Sequence, residues 1–569
     1  MSAPTEELKS VTGVQLAQGI GHRPTRGFWT EAWEQIIRRP AAVLGMGWVA
    51  MIAFFAAFAP LIANGHPLLM WELDSEGNRG PMSSPLLASL SGADTVLLFW
   101  GVAAPVFLLL PMIRLSRSER LRVLIAAGIQ SAIITVLAGL VYSKFADSSV
   151  SDRMRAWEQA SWFIPVVMSI IGLIAAIPFV SIAIWVYASV WRSINVIAVS
   201  IVVAVLVGMY WSPALEKFEY RQREAAGEIE SVYTIVPYSP NQSASTMYNR
   251  EPGATQMTAL WDQFEGRLRL DNNHQAAYSD EELSVIPIEQ GHIESLERVS
   301  RSIAPYLPLP IDQLLDEIHT EQVSGALPNL LTLRERILAT QASGHFLGTD
   351  TLGQDVLSQM LHACRLSVSI GLVSTSIAVT IGVTIGAMMG YFGGFIDLLL
   401  YRFVEVFMAI PVLFLLIVAA SVLPRNTYVM MAIIGCFSWT GAARFIRAEF
   451  MKLRDMDYIQ SAQAMGLPLR SILFKHMLPN GVTPVLVEAS FLIAAAILIE
   501  ATLSYLGLGP SGQASWGLLL SNAIGDTGVF VWWLAIFPGG AIFLTTLAYN
   551  LIGEALRDAV DPKLKKARV

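Results

Sequence analysis

Charge is scarce in this sequence: Asp, Glu, Lys and Arg make up 15% of its 569 residues, against about 25% in an ordinary soluble chain. The shortage is uneven. Several windows of about 20 residues hold no charge at all, the length a helix needs to cross about 30 Å of hydrocarbon. A soluble fold is thereby excluded and a polytopic membrane protein is left. Cysteine is nearly absent too. The two present, Cys364 and Cys436, have neither zinc-ligand spacing nor the density of a disulfide framework, and read as small apolar packing residues. No G-x-x-x-x-G-K-[ST] occurs and even the dipeptide Gly-Lys is missing, so the chain has no Walker-type phosphate loop. The net charge of −7 and the lack of a basic stripe argue against nucleic acid as a partner. No paired carboxylates, Ser/His set or metal-ligand spacing marks an enzyme, a metal site or a bound cofactor. A cleavable signal peptide is not expected, because the first apolar run starts at Ala41 after a polar leader and is too long for an h-region.

What the sequence does have is apolar length. Ten candidate spans can be read, at about 41–63, 94–113, 123–143, 162–188, 194–212, 366–390, 398–422, 427–443, 482–506 and 529–552. The stretch 162–212 is read as two helices with a tight turn at Trp191, Arg192 and Asn195. With the N-terminus inside, three basic loops fall on the cytoplasmic side as the positive-inside rule requires. One holds Arg114, Arg117, Arg120 and Arg122, a second Arg444, Arg447, Lys452, Arg454, Arg470 and Lys475, and the C-terminal tail Arg557, Lys563, Lys565, Lys566 and Arg568. Residues 213–345 then lie outside, a length that suffices for a small domain. Within them 281–302 and 311–340 look helical, and the part before Tyr278 irregular. In the N-terminal segment 1–40, Phe28, Trp29, Trp33, Ile36 and Ile37 recur at helical spacing. They form either an interfacial helix on the inner leaflet or a helix running straight into the first span.

One cytoplasmic loop is long and patterned. Asp457 to Asn480 reads "DYIQSAQAMGLPLRSILFKHMLPN". Ala462, Ala464 and Gly466 offer a small-residue face, Pro468 ends the first helix, and Ile472, Leu473, His476 and Met477 form an apolar stripe closed by Pro479 and Asn480. The pattern predicts a short helix, a turn and a second helix returning to the membrane. It fits docking into a partner's groove and an ordinary amphipathic surface loop equally.

The same residues resemble the "EAA" signature of ABC-importer permeases. Its triplet falls on Gln460, Ser461 and Ala462, its Gly on Gly466 and its Leu-Pro on Leu478 and Pro479, with Gln and Ser replacing the usual Glu and Ala. "HMLPN", with His476 and Asn480, resembles the dipeptide/oligopeptide/nickel branch. "LGTDTLGQDVLSQ" from Leu347 to Gln359 is similar to that branch's hallmark ahead of its second core helix, with Gln354 and Gln359 where the family usually has Arg. There Thr349 or Asp350 is suited to cap the following helix, and Gly348 and Gly353 allow tight turns. "GYFGGFID", "LSYLGLG", "SWGLLL" and "GEALRDAVDPKL" follow in the expected order. "FAPLIANGHPLL" resembles the sub-branch that imports peptides and a peptide-nucleotide antibiotic. The likeness covers about 28–72 and 345–564.

The resemblance implies an all-α, type I six-helix permease core built from 41–63 and 346–556; it does not cover 94–344, where the apolar runs add four extra helices in 94–212 and an extracytoplasmic insertion at 213–345, and a cytoplasmic tail follows at 557–569. It implies a bacterial inner-membrane subunit with both termini cytoplasmic, importing peptides or peptide-like solutes. Nickel chelates or another small solute are the alternatives, and an ion-coupled carrier would need inverted repeats that are not evident. Partners would be a second homologous permease, one or two ATPase subunits carrying ATP and Mg, and an external solute-binding protein. Coupling to the ATPases would run through Gln460, Ser461, Ala462, Gln463, Ala464, Gly466, His476, Leu478 and Pro479.

Ionisable groups inside spans cost about 2.5–3.5 kcal/mol on insertion scales and so face protein or water. Glu500 suits either the translocation cavity or a packing hydrogen bond, and Glu488 snorkels to the inner surface. Pro538, with Gly539 and Gly540, is a candidate hinge, and Pro411 a kink. Gly382, Gly386 and Gly390 form a close-contact face expected within the permease pair. Arg402 and Glu405 read as a local pair, and His345 and His362 as isolated surface or packing residues.

Overall fold

The computed structural model describes residues 28–109 and 220–560, apart from short stretches at 75–76, 91, 222, 225–226, 245–246, 304–310, 341–343, 482 and 525–529. The expected spans at 123–143, 162–188 and 194–212, the arginine loop at 114–122 and the tail beyond 560 lie outside the described residues.

The chain opens with α1 (Phe28–Ile37), a turn, and α2 (Pro40–Ile62), whose first residue is Pro40. Proline suits that place, since its missing N–H would have no intrahelical partner there. The turn makes α1 a separate amphipathic helix. Ala32 and Ile36 pack on Ala555 and Ala559 of the last helix, while Trp33 and Ile37 stay exposed. Arg39 pairs with Asp558 at 2.6 Å on the same corner.

Beyond α2 the expected all-α fold gives way to a small sheet. Strands β1 (Leu69–Leu73) and β2 (Arg79–Ser83) form a hairpin, followed by α3 (Pro85–Ser89) and α4 (Gly92–Leu109). Strand β3 (Ile229–Val232) pairs antiparallel with β1, giving the order β2-β1-β3 with Trp71 opposite both Met82 and Glu230. Arg79 of β2 lies over the Trp71 ring at 5.0 Å and bonds Glu230 of β3 at 2.6 Å, tying both outer strands across the central one. A two-stranded hairpin alone is marginal in water. Helix α4 leans on α2, with Gly101 against Ala57 and Phe58, and its Asp94 forms an ion pair with Arg365.

A helical domain follows: α5 (Gln256–Asp271), α6 (Asp280–Val285), α7 (Gln290–Ile303), α8 (Ile311–Val323) and α9 (Leu330–Ala339). It has its own core, including Leu260, Trp261, Phe264, Leu296, Ile318 and Leu333. Helix α5 occupies the stretch expected to be irregular. The two longer helices expected here are each split, at Pro287 and at Gly325, where φ is +75°.

The membrane core is centred on α10 (Val356–Phe392), 37 residues long and so about 55 Å from end to end. Around it lie α11 (Gly394–Ala409), α12 (Val412–Val422), α13 (Thr427–Phe437) and α14 (Thr440–Arg454). Then come α15 (Asp457–Ala464), α16 (Leu469–Ser471), a π segment (Ile472–Met477), α17 (Leu478–Gly481), α18 (Thr483–Tyr505), α19 (Trp516–Ser521) and α20 (Trp532–Val560). Helix α10 packs against α2, α13, α14 and α18, and α20 packs against α2 and α18. Among the described residues four helices are long and apolar enough to span, or six if the pairs α11–α12, bent by 79° at Pro411, and α13–α14, bent by 43°, each count as one.

Candidate functional site

The patterned loop is an ordered appendage of α14. Helix α15 turns Ile459 and Ala462 inward, where they join Ile446, Phe450 and Leu453 of α14 and Ile472 and Met477 of the π segment in one core. The helix stops on Gly466, at φ +73°. The Leu467 N–H reaches the Ala462 carbonyl and the Gly466 N–H reaches the Gln463 carbonyl, the paired bonds of a glycine-closed helix end. The stop is therefore Gly466, two residues earlier than Pro468, which instead precedes α16. The π segment also has a local cause. Pro479 has no N–H, and in a regular helix its ring would collide with the carbonyl four residues back. Widening the turn, with the Leu478 N–H bonded to the Leu473 carbonyl, relieves that collision.

The small-residue face does not survive as one surface. Ala462 is buried in this chain's own packing, and only Ala464 and Gly466 are exposed. The outward side carries Tyr458, Gln460, Ser461, Gln463, Ala464 and Met465, joined by Phe474 from the π segment. Met465 is 73% and Phe474 65% exposed, so both present apolar surface on the outer side of the loop. The Gln460 amide folds back to the Asp455 carbonyl at 3.3 Å. His476 is half-buried, Leu478 packs on the core, and Pro479 is exposed beside Asn480, whose amide caps the His476 carbonyl at 2.9 Å.

At the opposite end of α10 the "LGTDTLGQD" segment is a knot between three parts of the chain. The N-cap of α10 is Asp355, whose Oδ2 accepts the Ser358 N–H at 2.7 Å. Thr349 and Asp350, the expected caps, do other work. The Thr349 hydroxyl accepts the Arg250 N–H at 2.8 Å and donates to the Met247 carbonyl, while its own carbonyl accepts the Trp533 indole N–H of α20 at 3.0 Å. Asp350 accepts from the Leu352 and Gln354 N–H groups and from the Gln359 amide at 2.7 Å. Burial pushes its carboxyl above the usual carboxylate range, although these donors pull the other way. Gly348 and Gly353 both have positive φ, and a Cβ on Gly353 would lie 1.9 Å from the Ala244 carbonyl oxygen. His345 is not isolated: it is buried, with Nδ1 2.8 Å from Asp355 Oδ1. Its hydrogen-bond partner gave no local sequence signal.

A family described as "Binding-protein-dependent transport system inner membrane component" matches residues 382–566, and "N-terminal TM domain of oligopeptide transport permease C" matches residues 27–79. The oligopeptide transport system permease protein OppC of Haemophilus influenzae is 38% identical over 39% of this chain and 72% of its own length. The chain belongs to the oligopeptide-type ABC-importer permeases. The permease is also similar to the glutathione transport system permease protein GsiD of Pectobacterium atrosepticum, 38% identical over 41% of this chain and 77% of that one. A solved inward-facing structure of the MetNI methionine ABC transporter overlays on 36% of this chain and 98% of its own, at 17% identity. Its TM-score of 0.29 is too low to carry an argument.

The permease's intramembrane residues are placed as follows. Glu500 is fully enclosed. It accepts a hydrogen bond from Ser504 at 2.7 Å and interacts with the Ser515 hydroxyl at the start of α19. Its setting joins α18 to α19, which also meet where a Cβ on Gly517 would lie 2.2 Å from the Ala501 carbonyl oxygen. Glu488 is half-buried near Gly441 and Arg444 of α14. Pro538 is buried inside α20, which runs on without a break. The glycine face is filled by the permease itself: Cβ atoms on Gly382, Gly386 and Gly390 would come within 2.7, 2.4 and 2.5 Å of α14. That replaces the expected contact within a permease pair. Arg402 and Glu405 do pair, at 2.6 Å, and His362 bonds the Ala63 carbonyl at 2.9 Å. Cys364 is buried, but Cys436 is exposed on α13. Among the described residues no group of three or more His, Cys, Asp or Glu could hold a metal.

Proposed function

We propose that the chain is one of two transmembrane subunits of an ATP-driven importer for peptides or peptide-like solutes, and that separate ATPase subunits grip it at 457–480. The observation that carries this reading is the two-sided construction of that loop. Its inner side is a core shared with α14, and its outer side leaves Tyr458, Met465 and Phe474 uncovered. A push on the outer side is passed to α14, and through the glycine face to α10. Rocking of these helices would alternate access across the membrane. ATP and Mg are held by the partners, and the chain itself is non-catalytic. Relatives named for oligopeptides and glutathione support a peptide-like cargo.

The loop is cytoplasmic in this reading, as are both termini, in a bacterial inner membrane. Residues 213–345 are extracytoplasmic and face the solute-binding protein. The core is 41–63 with 346–556, and 94–212 adds four spans for a total of ten. Pairing of β1 with β3 supports an even number of added crossings, because both strands must lie on one side of the membrane.

The test is a double substitution, Met465→Ser with Phe474→Ser. Both side chains are exposed, so the folded chain should reach the membrane with its thermal stability little changed. Binding-protein-stimulated ATP hydrolysis by the reconstituted complex should fall at least about tenfold, as expected when apolar anchors leave an interface. Wild-type stimulation would remove this face from the mechanism.

A further inference from the structure

We infer that His345 is a positioning residue that couples the helical domain α5–α9 to the core helix α10. The inference concerns how two parts of the chain are joined, and holds whichever solute the permease carries.

The domain leaves the rest of the chain at Thr255 and returns at Gly344, two residues joined by an antiparallel bridge. His345 is the next residue. Its N–H bonds the Ala254 carbonyl and its carbonyl accepts the Gly253 N–H, each at 2.8 Å, so its backbone is fixed to the segment that leads into α5. Its ring stacks on Tyr238 with centroids 4.1 Å apart, and the Tyr238 hydroxyl is bonded by the amide of Gln256, the first residue of α5. On the other side Nδ1 meets Asp355 Oδ1 at 2.8 Å, while Oδ2 of the same carboxylate caps α10 through the Ser358 N–H at 2.7 Å. His345 is 2% and Asp355 1% exposed. A continuous buried chain of contacts thus runs from the domain's first helix to the first turn of α10.

The chemistry makes this chain stiff. Each Asp355 oxygen has one fixed donor, and neither can be released without leaving a buried carboxylate short of a partner, which is costly in a dry setting. A tilt of α5 that moves Gln256 and Tyr238 must move the imidazole, and the imidazole steers the carboxylate that closes α10. The parallel link, Arg250 to Asp262, is 25% and 41% exposed in its side chains. Solvent weakens such a pair, whereas the His345 route is shielded.

The experiment is a cycle read by amide hydrogen exchange at 356–360 in the full-length permease in lipid nanodiscs. Gln256→Ala, at the first residue of α5, removes the amide bonded to the Tyr238 hydroxyl and touches none of the groups that cap α10. In the wild-type background it should speed exchange of the first-turn amides of α10 about threefold to tenfold. Asp355→Ser keeps an N-cap oxygen but deletes the partner of His345, and in that background Gln256→Ala should leave the same amides unchanged. A Gln256→Ala effect that persists undiminished with Asp355→Ser overturns the inference, and so does its absence in the wild-type background. His345→Asn serves as the second deletion of the route, and it too should abolish the Gln256→Ala effect. An undiminished effect there has the same overturning force.

Discussion

Gly466 separates the backbone role of the loop from its role as a contact surface. It holds φ at +73° and a side chain there would meet nothing within 4 Å. In the isolated chain the cost of Gly466→Ala is therefore conformational, about 1–2 kcal/mol for an L-residue in the left-handed region. That corresponds to a factor of about 5–30 in the population of the closed helix end. Gly466→Asn adds a larger side chain, but Asn visits this region far more readily. The two variants thus divide two explanations. If glycine is present to end α15, Asn should keep about half or more of the wild-type ATPase stimulation and Ala should lose most of it. Both should insert and assemble normally, checked by co-purification of the complex. The assay is solute-dependent ATP hydrolysis in proteoliposomes with paired uptake. Equal and severe loss in both variants, with assembly intact, would refute the backbone account and show that a partner approaches Gly466 closely. Wild-type rates in Gly466→Ala would show that the closed end is not needed at all.

Other perturbations follow from the same coordinates. Gly386→Ala places a Cβ 2.4 Å from the Ala443 carbonyl oxygen and should cost about 1–3 kcal/mol by overpacking, read as a lower Tm in detergent. Gly540→Ala, with nothing within 4 Å, should be neutral or stabilising by up to about 1 kcal/mol. Asp350 holds its proton to higher pH in the fold than in the unfolded chain. Its contribution to stability is then fully present below the ordinary carboxylate range and lost as pH rises through the native value. Asp350→Asn should remove that loss, and a thermal scan from about pH 4 to about pH 8 that keeps the wild-type slope would reject the assignment. Glu500→Gln keeps an acceptor for Ser504 and should be mild, whereas Glu500→Leu strands a buried hydroxyl and should cost about 1–3 kcal/mol in thermal stability.

What the sequence discloses here depends on how local the cause is. Hydrocarbon thickness acts on each span by itself, so α2 and α18 match the apolar runs closely, while α20 continues eight residues past its run into the polar turn that ends at Val560. The apolar run 366–390 starts ten residues inside α10, because the helix's first turns are polar and include Arg365. Its partner Asp94 is 271 residues away in sequence, and no window can show that. Helix α5 falls in the stretch read as irregular, yet its signal is local: Met257, Leu260, Trp261, Phe264 and Leu268 recur at helical spacing behind a Thr255 cap. Strand β1 was not legible, since its stabilising partner β3 lies some 160 residues downstream, beyond the second strand of its own hairpin. The loop at 457–480 shows its helix–turn–helix outline in the sequence, but the first helix closes on Gly466 and not on Pro468. Which side of α15 faces out was set by Ile459 and Ala462 packing on α14, a tertiary fact that pattern alone could not order.

The glycine face gives the loop its mechanical reach. Inside a membrane no hydrophobic force draws helices together, so close packing must hold them. Gly382, Gly386 and Gly390 supply it by letting the α14 backbone sit where side chains would otherwise stand. Helices α10 and α14 are then one lever, with the loop fastened to one end. The neighbouring pair α11–α12 is held differently, through the Arg447–Asp397 ion pair at 2.5 Å and ring contacts of Trp439 with Phe403 and Phe407. Polar and aromatic contacts of that kind can be remade after a shift, whereas backbone contacts over glycine cannot slide without collision. Motion delivered at α15 should therefore travel along α10 to its capped end at Asp355, while α11–α12 lags. Disulfide trapping separates these alternatives. A disulfide joining α10 to α14 across the glycine face, in a chain without Cys364 and Cys436, should leave uptake intact. A disulfide fixing α11 to α14 should arrest uptake, and the reverse pattern would place the hinge between α10 and α14.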